Sequence, residues 1–134
     1  MITSKNVLVV DVDGTLCPIR EPRQRYEDLP VEPEMLARLR CLVDQGWRII
    51  LQSSRGMRTY DGDVDEINRM VLPALLAWLE ARGVPFHELH MGKPWAGENG
   101  FYIDDRAVRP REFVERSFEE LAALCARDRL TEPR

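Results

Sequence analysis

Four apolar residues, 7–10, lead directly into Asp11 and Asp13, which are followed by Gly14 and Thr15. An unbroken apolar run is typical of a strand that is buried on both faces of a parallel sheet. Gly14 is expected to end the strand, because glycine adopts backbone conformations that other residues resist. Both carboxylates are therefore predicted at the carboxyl end of a buried strand, where open α/β sheets bind their ligands. Two acids this close repel each other unless a cation or a proton holds them.

The composition is that of a globular protein. The 134 residues are 44% hydrophobic and 31% charged, which is enough to bury a core in one domain. A net charge of −4 disfavours a dedicated binder of nucleic acid or membrane surfaces, because such proteins are usually basic. No apolar run approaches the ~20 residues of a membrane span, and the start lacks a signal-peptide pattern. The number of cysteines is odd (Cys17, Cys41 and Cys125), which indicates reduced thiols in the cytoplasm.

Strands and helices are predicted to alternate along the chain. A proline-rich segment, residues 17–30, is predicted to be a loop, which we call the flap. Helices are expected around residues 33–45 and 63–82, with Pro73 kinking the second, and a last helix over 111–127. Further strands are predicted over 47–51, 86–90 and 101–103. This order predicts an α/β fold: a three-layer Rossmann-like sandwich with a mainly parallel central sheet, in one domain over residues 1–134.

Three polar clusters each follow a predicted strand, and a lysine stands in a turn before the last strand. They are Asp11 and Asp13; Ser53, Ser54 and Arg55; Asp104 and Asp105; and Lys93. Because the carboxyl ends of parallel strands share one edge of a sheet, these residues are expected to converge. Hard oxygen ligands suit Mg²⁺ rather than Zn²⁺. A hydroxyl, a lysine and backbone amides around a metal suit a phosphoryl group.

Taken in order, these residues resemble the motifs of the haloacid dehalogenase (HAD) superfamily phosphatases. Residues 11–15 match the first motif, Ser53 the second, Lys93 the third, and Asp104 with Asp105 the fourth. Residues 54–60, 92–95 and 101–110 also resemble a subgroup labelled capsule or polysaccharide biosynthesis phosphatases. The intervals between the motifs leave no room for a cap domain. The resemblance implies a Mg²⁺-dependent phosphomonoesterase that acts on a small phosphorylated metabolite, in particular a sugar phosphate of polysaccharide or capsule biosynthesis.

The resemblance also implies a role for each matched residue. Asp11 is the implied nucleophile, which forms an aspartyl-phosphate, and Asp13 is the implied general acid and base. Ser53 is implied to donate a hydrogen bond to a phosphoryl oxygen. Lys93 is implied to neutralise the phosphoryl charge and to hold Asp11. The implied magnesium ligands are Asp11, Asp13 through its backbone carbonyl, Asp104 and Asp105.

Other residues beside the motifs are candidates for binding substrate. They are Gly14, Thr15, Ser54, Arg55, Arg58 and Tyr60. Ser53 is favoured over Ser54 as the phosphate ligand because it directly follows the strand, although the choice stays open. The flap carries four side chains that could touch the distal part of a substrate: Arg20, Arg23, Arg25 and Tyr26. Trp95 could stack on a sugar ring, but it is interpreted as a core residue, and Cys17 is interpreted as a small packing residue.

Three alternative functions share parts of this pattern. The first is phosphoryl transfer to an acceptor other than water, as in mutases, and the second is a non-catalytic regulatory domain of the HAD fold. The third, a signalling receiver, is disfavoured because the second strand ends in residues 52–54 without an acid. The expected partner is a small-molecule phosphate ester, and neither nucleic acid nor membrane. Without a cap the site is open, so the flap or a second copy of the chain in a homo-oligomer is left to cover it.

Overall fold

The computed structural model describes residues 4–132, and the chain divides into two compact units. The N-terminal unit ends at Trp95 and the C-terminal unit begins at Ala96. The N-terminal unit contains a parallel sheet in the order β1-β2-β3, formed by β1 (Val7–Asp11), β2 (Arg48–Ser53) and β3 (Glu88–Met91). This architecture confirms the predicted α/β class with a parallel sheet. That the chain forms one domain stays a prediction.

Helices connect the three strands. β1 and β2 are joined by α1 (Pro33–Asp44), and β2 and β3 by α2 (Val64–Met70) and α3 (Leu72–Arg82). The predicted interruption of the helix near Pro73 is confirmed, because α2 ends before Val71 and Pro73 lies in the first turn of α3. Proline is accepted there because the first turn of a helix lacks backbone acceptors for its N–H groups. No helix within residues 4–132 is long and apolar enough to cross a membrane.

The two faces of β1 differ in burial. The register pairs Val10 with Leu51 on one face, where Val10 is 9% exposed and Leu51 is fully buried. On the other face Val9 is 58% exposed. The expectation of burial on both faces is therefore wrong for Val9. β1 lies at the edge of the described sheet.

The flap is anchored at its carboxyl end. It contains no α-helix and only one short 3₁₀ turn, Tyr26–Asp28, after which Leu29 is fully buried. The Trp78 indole Nε1 on α3 donates a hydrogen bond of 2.8 Å to the Leu29 carbonyl. Arg82 on the same helix donates to the Glu27 carbonyl at 3.1 Å. These contacts attach the flap to α3.

The predicted fourth strand does not form in the C-terminal unit. Residues 101–103 have no strand structure, and their side chains are exposed. A strand requires ladder hydrogen bonds to a neighbour, and residues 101–103 form no such ladder within the described residues of their own unit. The prediction of a strand that leads into Asp104 and Asp105 is therefore wrong, because three apolar residues after a glycine are too weak a signal.

The predicted last helix is two helices, α4 (Pro110–Glu115) and α5 (Phe118–Asp128). Ser117 begins the second one with a capping box. Its Oγ accepts from the Glu120 backbone N–H, and the Glu120 carboxylate accepts from the Ser117 backbone N–H, both at 3.1 Å. The apolar stripe of the predicted helix continues across this break, so hydrophobic periodicity does not reveal it.

Candidate active site

The carboxyl edge of the sheet brings Asp11, Ser53 and Lys93 together. Asp11 ends β1, Ser53 ends β2, and Lys93 lies in the turn after β3. The Lys93 Nζ lies 3.2 Å from the Asp11 Oδ1, and the Lys93 backbone N–H donates to the Ser53 carbonyl at 3.1 Å. Thr15 Oγ1 donates to the other oxygen of Asp11 at 3.5 Å. This convergence is the one that a parallel sheet predicts.

A tight turn fixes the backbone between the two aspartates and the flap. The Val12 carbonyl accepts from the backbone N–H groups of Thr15 and Leu16 at 3.1 and 2.8 Å, and the Gly14 N–H donates to the Cys17 carbonyl at 2.8 Å. Gly14 has a φ of +84°, a conformation that favours glycine. The N–H groups of Gly14 and Thr15, which are candidates for phosphate binding, thus donate within the turn.

Asp13 forms a two-pronged ion pair with Arg55. The Arg55 Nε donates to the Asp13 Oδ2 at 2.8 Å and its Nη2 donates to the Oδ1 at 2.9 Å. The Arg55 side chain is 3% exposed and that of Asp13 is 25% exposed. Burial lowers the pKa of the Arg55 guanidinium, but the hydrogen bonds to Asp13 and the negative charge of Asp13, with smaller contributions from Cys17 and Tyr26, together outweigh it and raise the pKa. Arg55, a candidate for substrate binding, is therefore occupied by a carboxylate.

Ser53 and Ser54 differ in burial. Ser53 is buried, and its Oγ accepts a hydrogen bond from the Arg55 backbone N–H at 3.1 Å, whereas Ser54 is half-buried. The Ser53 hydroxyl thus holds the start of the loop that carries Arg55. Which serine contacts a phosphate stays a prediction.

One candidate side chain lies near Trp95, and another follows on the same loop. The Arg58 guanidinium carbon lies 5.6 Å from the centroid of the Trp95 ring, and Tyr60 is half-buried on the same loop. Trp95 is 43% exposed, so its interpretation as a core residue is wrong. Gly92 in this turn lies close to Val64, because a Cβ on Gly92 would lie 2.8 Å from a Val64 methyl group.

Cys17 is a buried thiol beside the Asp13 carboxylate. Its Sγ lies 3.5 Å from the Asp13 Oδ1. Burial and then the negative charge of Asp13 raise the pKa of Cys17 to about 12. The thiol therefore stays protonated at neutral pH, which confirms its interpretation as a small packing residue that nothing activates.

Asp104 and Asp105 lie in the C-terminal unit and are exposed. The Asp104 Oδ1 accepts from the Arg106 backbone N–H at 2.8 Å, and the Asp105 Oδ2 accepts from the Arg129 Nε at 2.7 Å. The hydrogen bond from Arg129 lowers the pKa of Asp105. Considering the described residues of each unit by itself, neither assembles three His, Cys, Asp or Glu side chains that could hold a metal ion.

One solved structure is clearly similar to this chain. A crystal structure of a target protein from Vibrio cholerae is 40% identical, covers 92% of this chain and 99% of its own, and superposes with a TM-score of 0.86. No family model and no curated protein matches the chain.

Two further solved structures are much less similar. A chain of a Pnkp1/Rnl/Hen1 complex is 19% identical, with a TM-score of 0.48, over 82% of this chain and 33% of its own. The D,D-heptose 1.7-bisphosphate phosphatase from B. bronchiseptica, complexed with magnesium and phosphate, is 16% identical with a TM-score of 0.46, over 72% of this chain and 54% of its own.

Proposed function

The chain belongs to the same family as the Vibrio cholerae protein, and from its own residues we propose that it is a magnesium-dependent HAD-type phosphomonoesterase. The observation that carries the proposal is the separate pairing of the two adjacent acids, Asp11 with Lys93 and Asp13 with Arg55. Two carboxylates in different surroundings can take different chemical roles. The sequence order of the acids, Ser53 and Lys93 supports the HAD assignment.

In the proposed first step, Asp11 attacks phosphorus. A bond forms between an Asp11 oxygen and phosphorus, and the bond from phosphorus to the alcohol oxygen breaks. For this step Asp13 must carry a proton on a lone pair that Arg55 leaves free, and it gives that proton to the departing alcohol. Lys93 lies 3.2 Å from Asp11 and is thus placed to balance negative charge on the transferring group.

In the proposed second step, water hydrolyses the aspartyl-phosphate. Asp13, now ionised, removes a proton from the attacking water, and Asp11 and inorganic phosphate are released. Ser53 and Ser54 are the proposed hydroxyl donors to the phosphoryl oxygens. Asp13 returns to its protonated form, so the cycle consumes one water and one phosphate ester.

Magnesium fits the donors at the end of β1. The Asp11 side chain is 30% exposed and offers hard carboxylate oxygens. The Asp13 carboxylate is engaged by Arg55, so its backbone carbonyl is the proposed donor from that residue. The proposal that Asp104 and Asp105 are also magnesium ligands rests on the order of the motifs in the sequence. When bound, the ion supplies positive charge that favours attack of one anion on another.

We propose a small phosphorylated metabolite as the substrate, in particular a sugar phosphate. The exposed Trp95 ring supports this choice, because a sugar can stack on an aromatic face, and Arg58 beside it can bind a polar group. Ser54 and Tyr60 are further proposed contacts. A role in polysaccharide or capsule synthesis, a cytoplasmic location and a homo-oligomer that covers the site are extensions of the proposal, and phosphoryl transfer to a sugar acceptor is its alternative.

The test is a screen of phosphorylated metabolites with and without Mg²⁺. We expect Mg²⁺-dependent release of inorganic phosphate from at least one sugar phosphate, and no release by Asp11→Asn. Product analysis with an added sugar acceptor separates hydrolysis from phosphoryl transfer. Turnover that Asp11→Asn retains in full would exclude the proposed mechanism, and a complete lack of turnover would favour the non-catalytic alternative.

A further inference from the structure

We propose that Arg55 is a positioning residue that aims the Asp13 carboxylate at the leaving group, and that the Tyr26 ring of the flap holds Arg55 in place. This inference rests on the proposed function, because it assigns a purpose to Asp13 as general acid. It concerns the first step, in which the departing oxygen takes its proton.

The ion pair defines the orientation of Asp13. Each oxygen of the carboxylate accepts a hydrogen bond from a different nitrogen of Arg55, at 2.8 and 2.9 Å. A planar guanidinium that binds both oxygens fixes the plane of a carboxylate as well as its position, which a lysine cannot do. The Asp13 side chain keeps 25% of its surface exposed, so it remains accessible to a substrate.

Arg55 is held at its backbone and at its side chain. Its backbone N–H donates to the buried Ser53 hydroxyl at the end of β2. Its guanidinium carbon lies 4.1 Å from the centroid of the Tyr26 ring, a cation–π distance, and its Nη2 lies 3.9 Å from the Cys17 Sγ. A buried side chain fixed in this way loses little further freedom when it orients Asp13.

Tyr26 links this arrangement to the flap. The ring also lies near a second guanidinium group, because the Arg20 Cζ is 4.8 Å from its centroid. The flap is attached to α3 through the hydrogen bond from Trp78 to Leu29. The flap therefore acts on the reaction through Arg55, in addition to any contact with the substrate.

Comparing substrates with different leaving groups distinguishes a positioning role of Arg55 from a general contribution to protein stability. An alkyl alcohol is a poor leaving group and depends on a proton from Asp13, whereas p-nitrophenolate departs without one. We expect Arg55→Gln to lower kcat/KM about 100-fold on an alkyl phosphate and less than about 10-fold on p-nitrophenyl phosphate. Because kcat/KM ends at the first irreversible step, it reports the departure of this group and not the later attack of water.

Three further variants sharpen the measurement. Asp13→Asn should show the same preference for the aryl ester, and adding Arg55→Gln to it should cause little further loss. Arg55→Lys keeps the buried positive charge but loses the pair of parallel hydrogen bonds to Asp13. It therefore tests orientation even where Arg55→Gln fails to fold. Arg69→Gln, which removes an exposed ion pair with Glu66, is the matched control and should resemble the wild type on both esters.

The flap is tested by the ring of Tyr26. Tyr26→Leu removes the aromatic face and should shift the preference toward the aryl ester, whereas Tyr26→Phe keeps the face and should shift it less. Equal losses on both esters for Arg55→Gln and Arg55→Lys would overturn the positioning role while the proposed function stands. A wild-type protein that hydrolyses neither ester would overturn the proposed function, and this inference with it.

Discussion

The two acidic pairs of this chain are held in different ways. Asp11 and Asp13 lie at the start of the tight turn after β1, and their cations come from segments that follow other strands, Lys93 after β3 and Arg55 after β2. Asp104 and Asp105 are exposed, and their partners lie within their own unit: the Arg106 N–H and the Arg129 guanidinium. Long-range contacts to a packed core thus fix the first pair, whereas the second pair depends on contacts within a smaller unit.

This difference suggests a division of labour between the pairs. A nucleophile and a general acid must be aligned closely with the reacting atoms, and the first pair has the rigid surroundings that such alignment needs. Metal ligands can contribute through charge and adapt more in position, particularly around a partly hydrated ion. We therefore expect substitutions in the first pair to lower kcat/KM even at saturating Mg²⁺, most of all at Asp11, and substitutions in the second to change the magnesium requirement.

The largest loss is expected for Asp11→Asn. The amide is a poor nucleophile, so no aspartyl-phosphate forms and kcat/KM should fall by at least about 10⁴-fold. Phosphate release from the best substrate of the screen measures this loss. Asp128→Asn, at an exposed acid that pairs with Arg127, is the control and should retain wild-type rates. A loss below about tenfold for Asp11→Asn would remove the distinction between the two pairs.

Lys93→Gln should have the next largest effect. Its ammonium, which lies 3.2 Å from Asp11, is lost while the length of the side chain is nearly kept. We expect kcat to fall about 100- to 1,000-fold, as for removal of one charge-stabilising donor. A change in KM alone would show that Lys93 only binds substrate and does not stabilise the transferring group.

Asp104→Asn and Asp105→Asn test the second pair. Each should raise the Mg²⁺ concentration for half-maximal activity by about 10- to 100-fold, with activity recovered at saturating Mg²⁺. The measurement is a Mg²⁺ titration of initial rates, with Asp128→Asn again as the control. An unchanged titration in both variants would show that Asp104 and Asp105 are ordinary surface acids, and the magnesium site would have to be sought elsewhere.

The smallest effect concerns Cys17, which tests how tightly the turn around the first pair is closed. Because burial and Asp13 raise the pKa of Cys17 to about 12, it should resist alkylation at pH 8, whereas the exposed Cys41 should react readily. Peptide mapping after iodoacetamide treatment measures both sites, with unfolded protein as the control. Rapid alkylation of Cys17 in the folded protein would mean that the turn opens.

Local pattern and topology predicted one part of the site. The apolar run before Asp11 marked the end of β1, and the parallel order of strands placed Ser53 and Lys93 at the same edge. The pairing of Asp13 with Arg55 could not be predicted, since a charge pair across 42 residues leaves no periodic signal. Its formation depends on how the loop after β2 packs against the flap, which is a property of the tertiary structure.

The errors in the fold have similar causes. The break before α5 was missed because the apolar stripe ran through it, although Ser117 and Glu120 have the spacing of a capping box. The fourth strand was predicted from three apolar residues, and so short a run does not determine whether a neighbouring strand pairs with it. The prediction that Trp95 packs in the core is wrong, because the residue follows the Lys93 turn and its side chain is exposed.

The most direct test of the account is to locate the phosphoryl group during turnover. Protein mixed with substrate and Mg²⁺ is quenched in acid, digested and mapped by mass spectrometry. The account predicts a phosphoryl group on the peptide that contains Asp11, attached at Asp11, and none in Asp11→Asn. A phosphoryl group attached to a different residue, or wild-type turnover that leaves Asp11 unmodified at every quench time while Asp11→Asn remains active, would contradict it.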